Sequence, residues 1–416
     1  MFDDEIEASI ALQIQMKTYQ ELTSLRARGE SSFHFLSDFK RHSPFDKASS
    51  ESDTIEHFFD EHIVFKVSST DYDMISDLFL RVDLPDISAY AARWTNTTGH
   101  AIIDHVSIMN NDQEIIRYTS EMLNIILQLD TNAGHYSGQC QMLNHKATET
   151  ALSGQRQQLY IEIPFLKTNE DRQMFPVMLC KYGGFQVKVK FKSLTNSIFV
   201  EKESTVAINL VPTQTGLILV NLSTTVHPII QSKYRVRLRS TLMFEGYHLT
   251  NEERYLFLNK TGDILFKRYQ YLEVHISQGS TKVMVPLDFK GSISELLFTM
   301  HSKSLKNINR YYKYIQLENV ELMLRSMHTN QIPAKIYLAG NSHKCAPSTF
   351  IYSLPFCLSA THTQPSGHVV FQGVKGRDAL TLTFNRLSSD SVLSLTAVVY
   401  SKLTFTDGGI QVVDIE

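Results

Sequence analysis

The sequence predicts an all-β fold of two β-sandwiches in tandem, on three observations. Many short segments alternate apolar and polar residues, the period of a strand with one buried face. Turn formers punctuate them, as at Gly183-Gly184, Pro212, Gly279 and Asp407-Gly408-Gly409. At 416 residues the chain exceeds one ordinary core, and a polar stretch, Thr224–Ser232, opens near its middle with His227-Pro228. No strong internal sequence repeat is evident. Divergent sandwiches need none, because only the inward-facing pattern must persist.

In chain order, residues 1–50 form an N-terminal arm. Ile6, Ile10 and Ile14 recur every four residues and Gly29 is a stop signal, which favours a helix; Leu12, Ile14 and Met16 alternating with glutamines suit a strand. Glu51–Asp60 is polar and acidic and reads as a loop. Asp77–Pro85 puts Leu78, Leu80, Val82 and Leu84 on one strand face, and Pro85 ends it because proline cannot donate to a ladder. Trp94–Tyr118 holds the only tryptophan, a strand pattern, an Asn110-Asn111-Asp112 turn and a second apolar run, which together read as a hairpin. Further strands are expected at Phe185–Phe191, Thr205–Leu210, Leu217–Leu222, Tyr234–Phe244, Tyr269–Ile276, Lys282–Phe289, Val320–Leu324, Ala379–Phe384 and Leu393–Tyr400. Thr250 with Glu253 is a capping box for a short helix over Glu252–Phe257. Asn144–Arg156 suits a short helix or a long loop. The division expected is 1–50, 51–225 and 226–416.

Composition narrows the function. Forty Lys and Arg against 43 Asp and Glu leave a net charge of −3, with no run of five basic residues, so nothing drives the chain toward nucleic acid. Cys140, Cys180, Cys345 and Cys357 are too few and too dispersed for a disulfide framework and read as free thiols. The acidic start is no signal peptide, and no apolar run reaches the roughly 18 residues that span a bilayer. Three sequons, at Asn96, Asn221 and Asn259, are therefore expected to stay unmodified.

The search for chemistry assigns no catalytic, cofactor-binding or metal-ligating residue. His135, Cys140 and His145 match no structural zinc spacing, His343 and Cys345 lack a second pair, and His100 and His105 alternate oppositely on one strand. Ser153-Gly154 and Ser366-Gly367 are turns rather than nucleophile elbows. Gly373–Gly376 lacks phosphate-loop spacing, and Glu252 and Glu253 point to different helix faces. Tyr311-Tyr312-Lys313-Tyr314 has the composition of a single-strand nucleic-acid face, but no basic stripe continues it, so packing at a domain or subunit surface is preferred.

An ordered set of motifs carries a resemblance. Phe35–Phe45 (FLSDFKRHSPF), Asp77–Pro85, the Trp94–Tyr118 hairpin, Leu159–Phe165 (LYIEIPF) and Phe175–Phe191 are followed by Tyr247–Arg254 (YHLTNEER), Leu287–Phe298, Ile351-Tyr352-Ser353 and Gln364–Gly367 (QPSG). In this order they resemble the double jelly-roll major capsid proteins of nucleocytoplasmic large DNA viruses. Two departures stand out: the arm is acidic where the family's is Gly-rich and apolar, and Asn110-Asn111 replaces a Gly-Gly turn.

The resemblance implies two tandem eight-stranded jelly rolls with short helices in loops. It implies a structural, non-enzymatic subunit, without cofactor, whose homotrimers form pseudo-hexagonal capsomers of an icosahedral shell. Implied partners are its own copies, penton and minor capsid proteins, and an inner membrane or inner shell through the arm, with no sequence-specific nucleic acid. The implied location is the virion, assembled in host cytoplasm. A scaffold or minor capsid protein of the same fold is the first alternative. The second is a tandem β-sandwich carbohydrate-binding protein, disfavoured because the one tryptophan sits in a predicted hairpin core.

Overall fold

Alternation does lay down the strands. In the computed structural model, Leu78, Leu80, Val82 and Leu84 all point into a core and are at most 2% exposed, while Phe79, Arg81 and Asp83 between them face outward. The chain divides into Met1–Pro44 and Phe45–Glu416. Described residues are 46–415 except 89–91, 111, 132, 146–152, 167–172, 181–183, 201–208, 214–215, 221–235, 260–262, 304–311, 326, 329–330, 340–348, 361–363, 372–377 and 407–408. The expected arm up to residue 45, the Thr224–Ser232 linker, Gly373–Gly376 and the His343/Cys345 pair lie outside them.

The first half contains β1 (Asp46–Glu51), β2 (Ile55–Phe58), β3 (His62–Val67), β4 (Met74–Leu84), β5 (Ala92–Trp94), β6 (Ile103–Asn110), β7 (Gln113–Thr119), β8 (Gln157–Ile163), β9 (Phe185–Phe191), β10 (Ile198–Val200), β11 (Asn209–Thr213), β12 (Gly216–Val220) and β13 (Arg237–His248). One sheet runs β1-β13-β4-β8 with β2 also on β13, and the other β3-β9-β6-β7. β1 and β2 pair end to end along β13 and so fill one position. Small side pairs, β5 with β10 and β11 with β12, complete this half.

The second half repeats the plan with β14 (Asp263–Ile276), β15 (Lys282–Pro286), β16 (Ile293–Ser302), β17 (Leu317–Leu324), β18 (Met327–His328), β19 (Ile332–Pro333), β20 (Tyr352–Pro355), β21 (Ala379–Phe384), β22 (Ser391–Thr406) and β23 (Gly409–Asp414). Its sheets are β14-β22-β16-β20, with β23 continuing beside β22, and β15-β21-β17 with β18 and β19 end to end on β17. Numbered as positions along the chain, both halves read 1-8-3-6 in one sheet and 2-7-4-5 in the other. That is the jelly roll, two interlocked Greek keys, occurring twice.

Two expectations are corrected. Glu51–Asp60 is not a loop, because β1 ends and β2 lies within it; their polar, largely exposed residues are held by backbone pairing to β13 at the sheet edge. The boundary near 226 also moves. β13 is the eighth position of the first roll and sends Leu238, Leu242 and Phe244 into the first core, so that roll closes at His248.

A helix over Asn251–Asn259 then leads to β14. It starts at the predicted cap, with Thr250 Oγ1 accepting from the Glu253 backbone N–H at 3.3 Å, while Glu253 Oε2 has no partner, so the box is half made. Buried Asp73 ties it to the first roll, accepting from the Leu249 N–H at 2.8 Å and facing Arg254 Nε at 3.3 Å. Asp73→Ala leaves that N–H without its acceptor and is expected to cost about 1–3 kcal/mol in urea denaturation, with Asp73→Asn recovering part of the loss.

Candidate functional site

The residues with chemical potential do not converge. His100, on a short helix Thr98–Ala101, is buried, whereas His105 on β6 is partly exposed and bonded to Asp104 at 2.9 Å. His135 is exposed on a helix over Ala133–Met142, Cys140 is buried, and His145 Nδ1 meets Thr97 Oγ1 at 2.7 Å. Burial pushes the Cys140 thiol up, and the Cys180 thiol up to about 12, so neither is an activated nucleophile. Among the described residues no group of three or more His, Cys, Asp or Glu is placed to share a metal ion. Ser153 sits in a turn, its Oγ accepting from the Gln155 N–H. The Asn96 sequon is half buried in structure: Thr98 is fully buried and donates to the Thr95 carbonyl.

What does converge is a seam between the rolls. Thr119 caps a helix over Ser120–Asp130, its side chain accepting from the Met122 N–H at 3.1 Å. Sequence reading missed this helix, although Ser120, Glu121, Asn124 and Gln128 fall along one side of it at helical spacing. Its apolar residues divide between two faces, and both are buried. Leu123 and Leu127, four apart, enter the first core. Met122, Ile125 and Leu129, on the other side, pack with Leu297, Tyr314, Ile351 and Val398 of the second roll. Leu297 and Val398 are outward-facing residues of β16 and β22. The first roll's helix therefore lies on the outer face of the second roll's 1-8-3-6 sheet.

Polar contacts frame this patch. Ser120 Oγ donates to the His100 carbonyl at 2.8 Å and meets the Tyr312 hydroxyl at 2.8 Å, and Tyr271 donates to the Arg117 carbonyl at 2.7 Å. Within the run, Tyr314 is thus interior packing, its phenol held well above the usual range by burial, while Tyr312 is partly exposed and Lys313 exposed. A cleft of about 290 Å³ opens beside the helix, lined among others by Asp104, His105, Glu121, Lys192, Glu273 and His301. Thr299 of the second roll donates to Glu121 across the seam, and Lys192 donates to Ser120 at 3.1 Å within the first roll. The hydrogen bond from His105 holds the Asp104 carboxyl below its ordinary range. The arrangement joins the two rolls.

Residues 33–225 match the family model described as the major capsid protein N-terminus. No curated protein sequence matches the chain. Among solved structures, the PBCV-1 virus capsid aligns at a TM-score of 0.69 and 13% identity, over 91% of this chain and 98% of that one. The Faustovirus major capsid protein aligns at 0.63 and 11%, over 98% of each chain. The mavirus major capsid protein aligns at 0.51 and 8%, over 89% and 90% respectively. At these identities the likeness establishes the fold, a double jelly roll of the kind found in viral major capsid proteins.

Proposed function

We infer that the protein is a viral major capsid protein, a shell-building subunit and not a catalyst. The observation that carries this reading is the family match over residues 33–225, and the strand order repeated in both rolls supports it. Two rolls of like topology give one chain two similar wedges, so three chains supply six around a ring. Heterologous contacts close such a ring without any catalytic residue, only complementary walls. We divide the chain into an arm that ends before Asp46, a first roll from Asp46 to His248 and a second from Asp263. The arm is assigned to contacts with an inner membrane or inner shell. Pentons and minor capsid proteins are the further partners, in a virion assembled in host cytoplasm.

Native mass spectrometry of the purified chain is expected to give three times the monomer mass, and negative-stain images a hexagonal outline. Monomers at every concentration tested would contradict the reading. Absence of the protein from mature virions would instead select a scaffold role.

A further inference from the structure

The seam inside the chain has a direction. In the first roll the strand at position five, β7, leads straight into the helix Ser120–Asp130, which lies on the 1-8-3-6 sheet of the second roll. In the second roll position five is β18 with β19, and it leads into a helix over Lys335–Ala339. Tyr337 and Leu338 of that helix pack against the second core. Ile336 points away and is 50% exposed. This two-sidedness reproduces that of the longer helix on a smaller scale.

The matching acceptor is the outer face of the first roll's 1-8-3-6 sheet. Across it Met243 of β13 pairs with Phe79 of β4, and Thr241 pairs with Arg81, which pairs in turn with Tyr160 of β8. Phe79, Tyr160 and Met243 remain partly exposed at its centre. Arg81 lies among them, two residues from Phe79 on the same strand face and opposite Tyr160, and is held by Glu51 at 2.9 Å; Lys47 with Glu245 at 2.6 Å and Arg239 with Glu56 at 2.7 Å flank the patch. Aromatic residues, Met and Arg together are the side chains enriched at protein interfaces. Charges already paired within the sheet are not stranded when the face is covered.

We propose that this face receives the Lys335–Ala339 helix of a second copy of the chain, with Ile336 seated among Phe79, Tyr160 and Met243. The proposal rests on the capsomer reading and extends it by naming the contact. Donor and acceptor differ, so the contact is head-to-tail, and it repeats between chains the relation already present within one.

The test uses the full chain and charge-bearing variants of outward-facing residues, Phe79→Asp, Met243→Asp and Ile336→Asp. Each is expected to weaken the trimer at least about 30-fold, the effect of removing an interface anchor, while the isolated chain unfolds at the wild-type temperature. Separately, a mixture of Met243→Cys and Ile336→Cys chains is oxidised and the linked peptides are identified by mass spectrometry. A disulfide between positions 243 and 336 of different chains supports the assignment. Trimers that persist in all three variants, or a linkage of 243 to 243, overturn it and leave the capsomer reading standing. Wild-type protein that never trimerises overturns both.

Discussion

Trp94→Ala is expected to destabilise the first roll by about 3–5 kcal/mol, the cost of emptying a large aromatic site in a close-packed core. Trp94 is 0% exposed. Its ring stacks on Phe59 with centroids 6.2 Å apart. Its backbone holds β5 against Ile198 of β10 and donates to the Ser153 carbonyl at 3.1 Å. Trp94→Phe is expected to cost less for two reasons. Much of the ring volume is retained, and the buried indole N–H has no acceptor to lose. Urea denaturation of the three proteins checks this, and equal losses for Ala and Phe would show that the indole nitrogen carries the site.

Acid is expected to loosen the same roll through His100. Burial, aided by the nearby His145 and Lys192, pushes this imidazole down to about 3 from an ordinary value of 6.5. Its Nδ1 has no hydrogen-bond partner, so the neutral ring fits and the charged ring does not. The sign follows from linkage. The unfolded chain takes up the proton as pH drops below about 6.5, and the folded chain resists until about 3. Stability is therefore complete above that upper value and declines below it, by about 2–3 kcal/mol at pH ~4.5 from this one group. His57 and His145, also depressed chiefly by burial, act in the same direction. Denaturation at pH ~7 and ~4.5 should show a flatter dependence in His100→Gln than in wild type; parallel slopes would remove His100 from the account.

Several elements were legible in sequence, and their physics explains why. β4 announces itself because one face is buried and the other is wet, and the hairpin of β6 and β7 because Asn and Asp mark its turn. β1 escaped notice because an edge strand that buries almost nothing has no reason to alternate; partner backbone alone defines it. The seam helix was missed although Ser120, Glu121, Asn124 and Gln128 repeat at helical spacing; what local pattern could not show is that its apolar residues serve two different cores. The end of the first roll was misplaced because its last strand returns to pair with β4 and β1 after an excursion through β11 and β12, a long-range closure that no local pattern records.

The sequence by itself determined an all-β chain in two parts, the core-facing side of its regular strands, and, through ordered motifs, the family it resembles. These follow from local rules: pleat periodicity, turn chemistry and capping. The tertiary structure decided which strand closes each roll, that both rolls share one strand order, and that a helix from the first lies on a sheet face of the second. It also showed where the residues already set aside as sites go: His100 is a buried neutral group, and Tyr314 packs in the seam, the domain-surface packing the sequence had preferred. Such properties depend on which surfaces meet, and burial across a long-range contact is set by the partner as much as by the residue.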